Sequence, residues 1–244
     1  MRTMSTGAFV GATGGAGTTR LAVETAAVLA TTGRDAAVVD AAYATQGLSD
    51  HVAGRIDPDI TALTTDAADA PLAEGLYDLD ADLPGRVALA PARASFEQLA
   101  RAKIPAAAER FAGRVREADE RFDAVVVDVP PLAANQSVAA VDAADHVAVV
   151  APGSTRGADG VGRARARLRD VGSGADLVVA TRGDLTDADV SVPAGEEGVD
   201  PLPTAPDGGA FGAGVADVAA ALFDVEGDVS GSGSGLLAAA RDRL

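Results

Sequence analysis

Six short β-branched runs divide the chain: AFVGA (8–12), AAVVD (36–40), RVALAPA (86–92), DAVVVDV (123–129), HVAVVAP (146–152) and LVVATR (177–182). Their apolar residues fall on consecutive positions, not alternate ones, so each strand needs cover on both faces. Stretches with helical spacing stand at about 19–32, 95–121, 135–144, 155–171 and 214–224. Strand and helix alternating in this way specify a three-layer α/β/α fold, with a mostly parallel, doubly wound sheet and right-handed crossovers. Such sheets bind ligands in the loops at the carboxyl ends of their strands.

The length of 244 residues suits one sizeable domain, expected over 1–224. Residues 41–85 read as short helices and turns, and 183–213, rich in Gly, Pro and Asp, as surface loops. VEGDVSGSGSG reads as a flexible linker over 225–235, and LLAAARDRL as a short tail helix over 236–244.

The formal charge of −16 argues against a generally nucleic-acid-binding surface. Among 20 basic residues only Lys103 is a lysine, and aromatics make up 3%. This acid-rich, lysine-poor composition points to a salt-loaded, halophile-like cytosol, where surface carboxylates keep a protein hydrated. Full stability at ~0.1 M KCl, where the Debye length is about 10 Å, would contradict it. The chain has no cysteine, which excludes disulfides and thiolate metal sites. It has no signal-type leader and no run near ~20 apolar residues, so a cytoplasmic location is expected.

GATGGAGTTR, residues 11–20, joins the first strand to the first helix. Its glycines let backbone amides approach an anion closely, and the helix that follows points free N–H groups and partial positive charge at it. The amides of Gly14, Gly15, Ala16, Gly17, Thr18 and Thr19 are the phosphate candidates. In a P-loop reading the Thr19 hydroxyl ligates magnesium. A glycine turn of this kind can also serve close packing alone.

Two resemblances compete over this loop. Gly11-x-x-Gly14-x-x-Gly17 resembles the dinucleotide loop of short-chain dehydrogenase relatives, with Asp40 placed as a ribose-binding acid. TGGAGTT (13–19) resembles the deviant Walker A loop, K-G-G-x-G-K-[ST], of the ParA/MinD family of P-loop ATPases, with threonine at both lysine positions, Thr13 and Thr18. The rest of the chain favours the second. RFDAVVVDVPPLAANQS resembles that family's Walker B strand, and implies that Asp128 holds magnesium through a water. AADHVAVVAPGSTRGADGVGRARARL resembles the strand and helix that follow. DLVVATRGD takes the place of the strand ending in Asn-Arg beside the adenine, here Thr181 and Arg182, and DPLPTAPDGGAFGAGVADVAAAL resembles the proline loop and closing helix. The likeness spans nearly all of 7–224. A dehydrogenase of the other kind needs a Tyr with a Lys four residues on, whereas Tyr43 and Tyr77 are followed there by Gly47 and Ala81.

The resemblance implies ATP and Mg²⁺ as ligands, a nucleotide-responsive switch or scaffold in positioning, partitioning or regulation, a homodimer and a protein partner. The departures weaken its chemistry. A loop lysine reaches the β- and γ-phosphates, and such a charge-assisted contact is worth roughly 1.5–3 kcal/mol. The family's second switch acid is Ala42 here, which leaves Asp40 as the switch and catalytic candidate; Gln46 reads better as a turn residue than as one that orients a water. Weak binding and slow or absent ATP hydrolysis are expected. The alternatives are a pseudo-ATPase adaptor that binds partners without nucleotide, or a non-catalytic dinucleotide-binding regulator.

Arg163, Arg165, Arg167 and Arg169 offer a nucleic-acid patch, but at 100° per residue they fall on two faces and read better as solvated helix. The nine-residue tail is too short for firm membrane binding. His51 and His146 stand alone, with no metal-ligand spacing.

Overall fold

The computed structural model describes residues 5–195 and 203–223. The linker and tail expected over 225–244 lie outside the described residues. Eight strands form one sheet: β1 (Ser5–Gly11), β2 (Ala36–Asp40), β3 (Tyr77–Asp78), β4 (Val87–Ala90), β5 (Ala124–Val129), β6 (His146–Pro152), β7 (Leu177–Thr181) and β8 (Val190–Val192). Their order is β3-β4-β2-β5-β1-β6-β7-β8, parallel throughout except for the β3–β4 pair. The expected doubly wound α/β/α architecture is present.

The strands alternate between two apolar layers, as a period of two requires. Ala8, Val10, Val125, Val127 and Val129 face one, and Phe9, Ala124 and Val126 the other. The first layer is closed by α2 (Phe96–Ala102), α3 (Pro105–Asp119), α4 (Asn135–Asp142) and α5 (Thr155–Asp170), the second by α1 (Thr18–Thr31) and α6 (Gly209–Phe223). Both faces of the central strands are thereby buried, which is why their sequences run apolar without a break.

Three local expectations are corrected. The single helix expected over 95–121 is two, because Pro105 forces Ile104 into extended backbone (φ −73°, ψ 156°) and opens α3 from its first turn. The loops expected over 183–213 contain β8, and the last helix starts at Gly209, five residues before 214. Two of its glycines are contact residues: a Cβ on Gly212 would lie 2.4 Å from the Ala205 carbonyl, and one on Gly214 2.9 Å from that of Ser191. Within 41–85, three short 3₁₀ helices accompany β3, an antiparallel edge strand too short to show a period.

Candidate functional site

The glycine loop emerges where β1 lies between β5 and β6. Ala12 N–H donates to the Val150 carbonyl at 2.8 Å, extending the ladder one residue before the chain leaves the sheet. Gly15 and Gly17 then take left-handed φ values of 72° and 87°, the backbone that folds residues 12–17 around the mouth of α1. Gly14 and Gly15 are exposed, with open space where their side chains would be. No side chain caps α1 and no acid sits in its first turn. The mouth therefore presents free N–H donors, an arrangement that fits a phosphate. Thr13 is turned the other way: it is buried, and a Cβ on Gly160 of α5 would meet its Cγ2 at 2.8 Å.

The parallel β1–β5 register pairs Phe9 with Asp128, and this carboxylate meets the first turn of α1. Thr19 Oγ1 donates to Asp128 Oδ2 at 2.5 Å. The two oxygen groups expected to hold magnesium are thus brought together from 109 residues apart. They suit a hard divalent ion, although no group of three or more His, Cys, Asp or Glu positioned for a metal occurs among the described residues. Burial pushes the Asp128 carboxyl up to about 6, opposed by the Thr19 hydroxyl.

Asp40 pairs with Asp128 across the β2–β5 ladder and is fully buried. Its Oδ1 accepts from Ala42 N–H at 2.7 Å and its Oδ2 from Ala92 N–H at 3.1 Å, so it brackets the ends of β2 and β4. Burial first, then the Asp128 charge, raise its carboxyl to about 8 against these two N–H donors. Ala42 is buried as well, and Gln46, at φ 54°, donates Nε2–H to the Ala94 carbonyl at 3.0 Å.

Thr181 and Arg182 reach the glycine loop from the end of β7. Thr181 is buried, and its hydroxyl donates to the Ala16 carbonyl at 2.7 Å; the Arg182 guanidinium donates to the Gly15 carbonyl. Arg20 points away from the loop. It donates to Thr204 Oγ1 at 3.2 Å, lies 3.5 Å from Glu24 and covers the Phe211 ring at 4.9 Å, so it does not replace the absent loop lysine.

Glu24 was not legible as a functional residue. Fully buried on α1, it accepts from Thr204 N–H, Thr204 Oγ1 and Ala205 N–H at 2.8–3.0 Å, tying the helix of the glycine loop to the segment that enters α6. The signal was present: an acid set inside the apolar run LAVETAAVL. The arginines of α5 are divided as expected. Arg167 donates to the Leu132 carbonyl at 2.9 Å on one flank. Arg165, on the other, lines a groove shared with Asp184 and Asp187, whose charge opposes a polyanion.

No protein-family model matches the chain, and no curated protein matches it. Solved structures do. A ParA family ATPase from Chlorobium tepidum TLS aligns with TM-score 0.72 and 15% identity over 88% of this chain and 98% of that one. The septum site-determining protein MinD of Pyrococcus horikoshii OT3, complexed with Mg-ADP, aligns with TM-score 0.66 and 15% identity over 88% and 94%. McdA from Cyanothece gives TM-score 0.59 and 23% identity over 73% of each chain. At these identities the likeness is one of fold.

Proposed function

We propose that this chain, which has the fold of the ParA/MinD P-loop ATPases, is a nucleotide-responsive switch or scaffold that binds Mg-ATP weakly and hydrolyses it slowly or not at all. The contact of Thr19 with Asp128 at the open mouth of the glycine loop carries this reading. The amides of Gly14 to Thr19 would grip the phosphates, and Thr19 and Asp128 would hold magnesium. When bound, the ion neutralises phosphate charge and bridges it to the protein. Positioning is what these residues supply. What they lack is a lysine at Thr18 and an acid at Ala42, so little remains to stabilise transition-state charge or to polarise an attacking water.

The sheet order weighs against a dinucleotide regulator. A ribose-binding acid ends the strand next to the glycine-loop strand. Here β5 lies between β1 and β2, which puts Asp40 two strand spacings away, about 9.6 Å in an ideal sheet, and its carboxylate is already bonded to Ala42 and Ala92. A dimer of this chain, if formed as in the resemblance, would do without a cation at Thr13, whose side chain packs on Gly160.

Equilibrium binding of ATP and NADPH, with and without Mg²⁺ at high KCl, tests the proposal. ATP should bind in a magnesium-dependent way and NADPH should not. Affinity that ignores both Mg²⁺ and Asp128→Ala refutes the metal assignment, and absence of any nucleotide binding leaves the partner-binding adaptor. Steady-state turnover at ~1 s⁻¹ or above, an ordinary enzymatic rate, refutes the slow switch.

A further inference from the structure

A polyphosphate held by peptide N–H groups alone carries several negative charges into a chain of net charge −16. The loop itself offers no cation, since Thr13 is buried against α5 and Arg20 is held by Glu24, Thr204 and Phe211. Among the described residues, Arg182 is the cationic side chain that hydrogen-bonds the glycine loop. We propose that Arg182 supplies the positive charge of the phosphate site, delivering from the end of β7 what Thr13 and Thr18 lack. The proposal rests on the phosphate-binding reading above and names the residue that makes such binding possible without a lysine.

Four observations place it there. Its backbone is anchored, because Arg182 N–H donates to the Val192 carbonyl at 3.0 Å and the adjacent Thr181 hydroxyl grips Ala16. Its φ of 55° is left-handed, one of two such non-glycine positions among the described residues; the other is Gln46, on the loop after β2. An arginine gains nothing locally from that conformation, which is found where surrounding structure imposes it. Its side chain is exposed and no carboxylate pairs with it among the described residues. Finally, a guanidinium has five N–H donors, of which the Gly15 carbonyl takes one. A phosphate oxygen is a stronger acceptor than a peptide carbonyl, because the hydrogen bond is then charge-assisted on both sides. An anion in the loop would draw the guanidinium from the rim without any movement of β7.

Calorimetric binding of Mg-ATP and of inorganic tripolyphosphate to the wild type, Arg182→Gln, Arg182→Lys and Arg169→Gln decides the matter. Glutamine keeps a donor for the Gly15 carbonyl but removes the charge. Arg182→Gln should weaken both ligands by about ten- to a hundredfold, with an unchanged unfolding midpoint. Arg182→Lys should recover affinity to within about threefold of wild type, and Arg169→Gln, which makes the same change in net charge in the last turn of α5, should bind normally. The deficit of Arg182→Gln should also shrink as KCl rises, as screening of a charge contact demands. Wild-type affinity in Arg182→Gln, equal weakness in the glutamine and lysine variants, or a deficit indifferent to salt would each overturn the proposal. A wild type that binds neither ligand is a different failure: it removes the phosphate site itself, and the role of Arg182 with it.

Discussion

The loops after β1 and β2 leave the same end of the sheet, yet they have opposite characters. The first is open, with Gly14 and Gly15 exposed, a bare helix mouth and Thr19 at Asp128. The second is closed on itself: Ala41, Ala42 and Tyr43 are buried, and both oxygens of Asp40 are bonded to backbone N–H groups. The open loop offers backbone donors, which a change of side chain leaves intact. In the closed one Ala42 puts a buried methyl group where the resemblance implies an acid. Geometry that fits an anion is therefore present in the first loop, while the second carries a buried alanine at position 42.

The largest effect should come from forcing the closed loop to imitate an active one. Ala42→Asp places a carboxylate in a buried position next to Asp40 and should cost about 2–4 kcal/mol in urea unfolding, with no gain in turnover. A variant as stable as wild type would show that this loop is not sealed. Next is the open loop. Thr18→Lys restores a cation at the helix mouth and should tighten Mg-ATP by roughly 1.5–3 kcal/mol, or about one to two decades, measured by calorimetry. No change would mean that the mouth does not face the phosphates. Asp128→Asn should remove most of the gain in ATP affinity that Mg²⁺ confers, about tenfold, and leave metal-free binding as it was. Equal Mg²⁺ enhancement in this variant counts against the Thr19–Asp128 pair as the metal site.

The most gradual effect is on pH dependence. The Asp40 carboxyl sits at about 8 in the fold against an ordinary 3.8, so between these values the native chain keeps a proton that the unfolded chain releases. The stability it contributes is complete below about 3.8 and is lost as pH rises towards about 8. At constant high KCl, the urea midpoint of wild type should fall more steeply over that interval than that of Asp40→Asn. Parallel curves would place the proton elsewhere.

Much of the fold could be read from the chain. The consecutive apolar residues of AVVVDV and HVAVVAP declared central strands, and the glycine loop declared its own place between strand and helix. Gly212 looked like a loop residue because a glycine needed for close approach and one needed for a turn are the same letter. Glu24 escaped notice for a related reason: its partners, Thr204 and Ala205, lie some 180 residues away, and nothing local marks them.

Sequence alone determined which segments became strands and helices and that the first turn between them could cradle an anion, since periodicity and glycine act over a few residues. Only the tertiary structure decided that β5 comes between β1 and β2, setting Asp128 beside Thr19 and enclosing Asp40. It also decided that Arg182 reaches Gly15 across 167 residues. Strand order and side-chain direction are chosen by the packing of the whole sheet, where burial and hydrogen bonding are satisfied together, and no short stretch of the chain carries that information.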